Sequence, residues 1–214
     1  MNIADIYKWF RIPPSLQEHM LRVCAIVVFL EKHWAGAKVD WDFVKKLALL
    51  HDVGNIVKFD LDRYQSFLGD EQKNVERWKE IQKEIIAKYG ADDHEATQKM
   101  LREIRVSEQT IRTILDKSFG KSVATAASNN WPLKILYYAD FRVLPLRIGT
   151  LDERINDVRQ RMPWYANRPD FDTLIKAAKD IESQIQKNMD VTVDDITDAS
   201  ITGDSRALKL ELQE

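Results

Sequence analysis

An imidazole and a carboxylate stand side by side in "LALLHDVGNIVKFD", residues 47–60, where an apolar run gives way to His51, Asp52, Gly54 and Asn55. With four His and 21 Asp in 214 residues, a His-Asp dipeptide arises by chance about 0.4 times per chain, so its setting matters more than its occurrence. The pair ends an amphipathic run, where two adjacent residues can face one crevice as the backbone leaves helical geometry. It is either a polar helix end or half of a metal site. Two more residues favour the metal. His19 interrupts "LQEHMLRV" on a side that is otherwise apolar, and Asp140 interrupts "KILYYADFRV". An acid on so apolar a helix costs several kcal/mol unless it is paired, hydrogen-bonded or bound to a metal. Two imidazoles and two acids make a mixed nitrogen and oxygen set, suited to a borderline divalent ion such as Mn, Fe, Co, Ni or Zn.

The elements that must position these groups are helices. "PPSLQEHMLRVCAIVVFLEKHW" opens on Pro13 and Pro14, with Ser15 as N-cap and Glu18 closing a capping box. Leu16, Met20, Val23, Ile26, Val27 and Leu30 then keep a helical period. A second helix starts near Asp40, turns Phe43, Leu47 and Leu50 to one face, and stops at Gly54 and Asn55, after which the chain reads as a loop. "DEQKNVERWKEIQKEIIAKYG" is a charged helix with Val75, Trp78, Ile81 and Ile85 as its stripe and Gly90 at its end. Two more follow, one capped by Asp92 or Asp93, the next running from Ser107 to Gly120. "WPLKILYYADFRV" carries Asp140. Thr150 and Glu153 form another capping box, and a last long helix begins at Pro169.

Strand alternation and internal repeats are both lacking, so the chain is all-α. It is expected to form one domain over residues 1–189 and an acidic extension over 190–214. Five acids fall between Asp190 and Asp204 before the next base, Arg206. That extension suits a short helix from Thr192, an interaction strand around "RALKLEL", or a frayed end.

The bulk composition, 44% hydrophobic and 31% charged, is that of a globular protein. A net charge of -2 gives no global reason to expect a nucleic-acid polymer or an acidic membrane as partner. Cys24, the single cysteine, reads as a small buried hydrophobe and permits no internal disulfide. The N-terminus lacks the apolar centre of a signal peptide, and the longest apolar run is too short to span a bilayer. A cytoplasmic protein is expected.

The order His19, then His51-Asp52, then Asp140 resembles the HD-domain superfamily of metal-dependent phosphohydrolases, over roughly residues 14–160. The resemblance implies a helical bundle around a metal. It also implies hydrolysis of a phosphomonoester or phosphodiester, with a nucleotide or nucleotide-like molecule as substrate. A bound cation lowers the pKa of its water and polarises a phosphoryl oxygen. In this reading His19, His51, Asp52 and Asp140 are ligands, and Asp52 also orients the attacking water. Departures narrow it. Nucleotidases of the superfamily often carry a Glu three residues after the His-Asp acid, where this chain has Asn55. Binuclear members have extra histidines in the region of His94, but the paired histidines they add further along are absent, so one divalent ion (Mn, Co, Fe, Ni, Zn or Mg) is expected.

His94 and Lys58 are the remaining catalytic candidates, for leaving-group protonation or transition-state charge. Lys58, Arg142 and Arg147 are the candidates for phosphate, guanidinium being matched to its oxygens. Duller readings stand beside them: His94 in the first turn of a helix, Lys58 and Arg147 as surface charges or partners of Asp152 and Glu153. Trp131, Trp164 and Tyr165 could stack on a base, although core packing explains aromatics in helices as well. His33 reads as a surface residue. The rival function is a metal-stabilised module that senses a nucleotide without turning it over, kept open by Asn55. The expected partner is a small phosphorylated substrate, with no membrane, and the apolar helices leave room for a homodimer.

Overall fold

Asn2 opens the first helix: its side chain accepts from the Asp5 N–H at 2.9 Å, and Ile3, Ile6 and Tyr7 then turn inward. This helix, α1 (Ile3–Trp9), was not among the expected elements, although Ile3, Ile6, Tyr7 and Phe10 keep a helical spacing. The structure, a computed structural model, describes residues 1–145 and 147–201, without the Phe67 side chain. Along the described chain follow α2 (Pro14–Lys32), α3 (Trp41–Leu50), α4 (Val75–Tyr89), α5 (Asp93–Glu103), α6 (Glu108–Asp116) and α7 (Ser122–Ala127). Then come α8 (Trp131–Phe141), α9 (Leu151–Arg161), α10 (Pro163–Ala166) and α11 (Phe171–Gln186). Among the described residues no sheet forms, and two isolated bridges join Trp34 to Met189 and Val143 to Ile148. The fold is all-α. No helix of the described residues is long and apolar enough to cross a membrane.

Several boundaries differ from those expected, each for a local reason. α2 begins at Pro14, so Ser15 lies inside its first turn; the fixed φ of proline suits that first position, where no N–H is needed. α6 stops at Asp116, and Gly120 belongs to a separate 3-10 turn, Phe119–Lys121, that leads into the unexpected α7. α11 starts after Asp170 rather than at Pro169. The capping box of Thr150 and Glu153 on α9 is present as expected.

The described chain packs as two compact units that interleave in sequence. The first comprises Met1–Leu21 and Leu49–Leu115. In it the Tyr7 hydroxyl donates to the Leu49 carbonyl at 2.7 Å, tying α1 to the end of α3. α4 packs on α5, and both pack on the 3-10 turn Asn55–Lys58. Gln82 of α4 donates to the carbonyls of Ile56 and Phe59 at 2.7 and 2.8 Å, fastening the end of this turn to α4.

The second unit comprises Arg22–Ala48 and the described chain from Asp116 onward. α11 packs along α7 and α8. Cys24 is fully buried, which pushes its thiol up to about 12 and agrees with its reading as a small hydrophobe. Residues 190–201 belong to this unit. Asp190 meets His33 at 3.0 Å, Thr192 and Asp195 cap a 3-10 turn, Val193–Asp195, and Ile196 is buried. His33 is therefore half-buried against Asp190 rather than a simple surface residue. The "RALKLEL" segment lies outside the described residues.

Candidate metal centre

α3 is capped by Asp40, whose carboxylate accepts from the Phe43 N–H at 3.0 Å, and it ends at Leu50. His51 and Asp52 form the turn that follows, closed by the Asn55 N–H donating to the Asp52 carbonyl at 2.9 Å. Gly54 has an ordinary backbone (φ -89°, ψ -5°), so the helix stop expected at Gly54 and Asn55 does not itself require a glycine. Close approach is: a Cβ at Gly54 would lie 2.5 Å from both the backbone N and the Oγ1 of Thr97, on α5. Gly54→Ala is therefore expected to push the turn off α5 at a cost of about 1–3 kcal/mol. For a chain of this size that is a fall in Tm of roughly 2–12 °C. A thermal melt superimposable on the wild type would show that the turn has room to spare.

Within the first unit the imidazoles of His19, on α2, and His51 converge on Asp52. His19 Nε2 lies 3.6 Å from Asp52 Oδ2, His51 Nε2 lies 3.5 Å from Asp52 Oδ1, and the ring centroids are 5.4 Å apart. The side chains of His51, Asp52 and His19 are 0, 14 and 23% exposed. These separations exceed the usual N–H···O length. They approach the edge of a coordination polyhedron, which for metal–ligand bonds near 2.1 Å is about 3.0–3.4 Å. One carboxylate and two imidazole nitrogens, mutually within 4.8 Å, can hold a divalent metal ion, and the donor chemistry fits a borderline one.

The other expected site residues are distributed as follows. Asp140 lies on α8 in the second unit, where its Oδ2 accepts from Lys117 Nζ at 2.8 Å. Lys117 is the residue the sequence reading missed; it follows α6 outside any helical stripe, and its partner is 23 positions away. Lys58 ends the 3-10 turn after Gly54, half exposed, and donates to Asp93 at 2.6 Å. Burial pushes the Asp93 carboxyl up, but the Lys58 ammonium outweighs it and holds the acid below its usual range. His94 is exposed in the first turn of α5, which Asp92 caps.

Two arginines are engaged elsewhere. Arg147 forms a two-bond pair with Glu153 at 2.7 and 3.0 Å, the duller of its two readings. Arg142 requires a correction. It is 2% exposed and donates to the carbonyls of Gly149, Val193 and Ile196 and to the Tyr138 hydroxyl. A guanidinium so committed ties the second unit together and is not a phosphate ligand. Trp131 packs edge-on against Trp34, and Tyr165 lies tilted against Phe119, so both serve packing; Trp164 is 64% exposed.

Two imidazoles and a carboxylate gathered around one point of an all-helical protein define the class: a helical protein with a group that could hold a divalent metal ion. The comparison with known families gives the class a name. A family model described as HD domain matches residues 10–115, about half of the chain. On that segment the chain belongs to the HD-domain superfamily. No curated protein and no solved structure matches it.

Proposed function

We propose that this chain is a metal-dependent phosphohydrolase, cleaving a phosphomonoester or phosphodiester of a nucleotide or nucleotide-like molecule. The observation that carries the reading is the convergence of His19 and His51 on Asp52 inside an HD domain. His19, His51, Asp52 and Asp140 would hold one divalent ion. Such an ion supplies a water of lowered pKa and a Lewis acid for phosphoryl oxygen. Asp52 would orient the water while the buried His51 ring fixes one side of the site. Lys58, at the end of the 3-10 turn after Gly54, and His94, in the first turn of α5, are the groups proposed for transition-state charge and leaving-group protonation.

A second reading, a nucleotide sensor built on the same metal, is favoured by Asn55. Its amide stands three residues beyond Asp52, the position at which nucleotidases of the superfamily often carry a Glu.

One experiment tests both. Protein purified without chelator or a His tag is assayed for metal by elemental analysis, then screened with Mn2+ or Co2+ against nucleoside phosphates and cyclic nucleotides. About one transition metal per chain and hydrolysis that stops with EDTA support the enzyme. Metal and nucleotide binding without turnover support the sensor. Two ions per chain would bring His94 in as a ligand. No metal after reconstitution would reduce the His-Asp pair to a helix end.

A further inference from the structure

Two acids stand at the head of α5, and the structure gives them different work. Asp92 caps the helix, accepting from the Glu95 N–H at 2.8 Å, so Asp93 is not needed there. The Asp93 carboxylate instead meets Lys58, whose Nζ donates to its Oδ2 at 2.6 Å. The backbone under Lys58 is held as well. Gln82 fastens the carbonyls of Ile56 and Phe59 to α4. A Cβ at Gly54 would meet the Asp93 carbonyl oxygen at 3.0 Å, besides Thr97. The first turn of α5 therefore lies directly against the turn that leaves Asp52, and all of these residues belong to the first unit. The Asp93 side chain is 24% exposed and that of Lys58 50%, so the acid is the anchored member of the pair.

We propose that Asp93 is a positioning residue of the proposed active site, holding the Lys58 ammonium in place beside the turn that carries Asp52. This rests on the reading of Lys58 as the group that supplies transition-state charge. A lysine side chain is long and loses much rotamer freedom when it is ordered. A charge already in place stabilises a transition state better than one that must first be gathered. An ammonium has three N–H donors. Asp93 takes one, and Lys58 has no other partner among the described residues, so two are left for phosphoryl oxygens. Asp93 also brings a negative charge, which opposes an anionic substrate. It stands beyond the ammonium, however, and at a half-exposed site water screens that longer distance more than it weakens the direct contact. The orienting effect prevails.

A double-mutant cycle tests the coupling. Wild type, Lys58→Met, Asp93→Asn and the double variant are assayed with Mn2+ on p-nitrophenyl phosphate and bis(p-nitrophenyl) phosphate. Asp93→Asn is expected to lower kcat about tenfold and leave KM within about twofold of wild type, because the lost alignment acts in the transition state. Lys58→Met should lower kcat at least as far, and the double variant no further than Lys58→Met alone. Asp93→Glu, which keeps the charge, should recover most of the rate. All four variants should melt within about 2 °C of wild type, since an ion pair this exposed adds little stability. Losses that multiply in the double variant overturn the proposal, as does a faster Asp93→Asn, which would make the acid a competing counter-ion. A lowered Tm that Asp93→Glu restores without the rate overturns it too, and makes the pair structural. An unchanged Asp93→Asn overturns it and leaves the enzyme reading standing. No turnover of either ester by wild type removes that reading and this inference together.

Discussion

Asp52→Ala is expected, on the proposed reading of the site, to leave the protein folded and unable to hold a metal ion. The Asp52 oxygens stand 3.6 and 3.5 Å from the Nε2 atoms of His19 and His51, so this one carboxylate lies beside both imidazoles proposed as ligands. Removing it leaves imidazoles that bring no negative charge to a divalent ion. Metal content should fall from about one ion per chain to near zero on purification, and hydrolysis should drop by about 10³-fold or more, the equivalent of several kcal/mol of lost transition-state stabilisation. Asp52→Asn keeps the shape but not the charge and should retain some metal at high concentration without recovering turnover. Circular dichroism separates loss of metal from loss of fold. Full metal content in Asp52→Ala would remove Asp52 from the ligand set.

The second large effect falls within the second unit. Arg142→Leu should lower Tm by roughly 6–20 °C, corresponding to about 3–5 kcal/mol. The carbonyls of Gly149, Val193 and Ile196 and the Tyr138 hydroxyl all accept from this one buried guanidinium, and an acceptor left buried without a donor is expensive. Tyr138 is itself nine-tenths or more buried, so water cannot readily replace the lost donor. Arg142→Lys keeps a charge but not the planar fork and should recover only part of the loss. A Tm within 2 °C of wild type, coupled with weaker phosphate binding, would return Arg142 to the ligand-binding role first expected of it.

These two residues mark how far the sequence could be read. His19, His51 and Asp52 were legible because a polar group on an apolar helical stripe stands out within a single turn of chain, and because the order of such groups is a family signature. The helices that position them were legible through Asp40 at the start of α3 and the apolar period of α2, as α9 was through Thr150. Arg142 was misjudged because its partners lie up to 54 positions away; nearness in sequence to Asp140 suggested a shared role that packing does not give it. Lys117 was overlooked for the same reason. α7 was invisible because "SVATAA" has too few large apolar residues to show a stripe. Gly54 was found, but for the wrong cause: the neighbour that demands glycine is Thr97, contributed by another helix.

The interleaving of the two units bears on how the chain is made. When residue 115 leaves the ribosome, every described piece of the first unit has been synthesised, and that unit can close. Val23, Ile26, Val27 and Leu30 of α2, with Val44 and Leu47 of α3, have by then been made as well, but their unit is completed only by the chain from Asp116 onward. At 5–20 residues per second the remainder takes on the order of ten seconds to emerge. For that interval the rest of the unit to which this apolar stripe belongs has yet to be made. Chaperone dependence during synthesis should therefore concentrate on residues 22–48, and stop codons placed shortly after residue 115 should yield aggregating rather than soluble fragments.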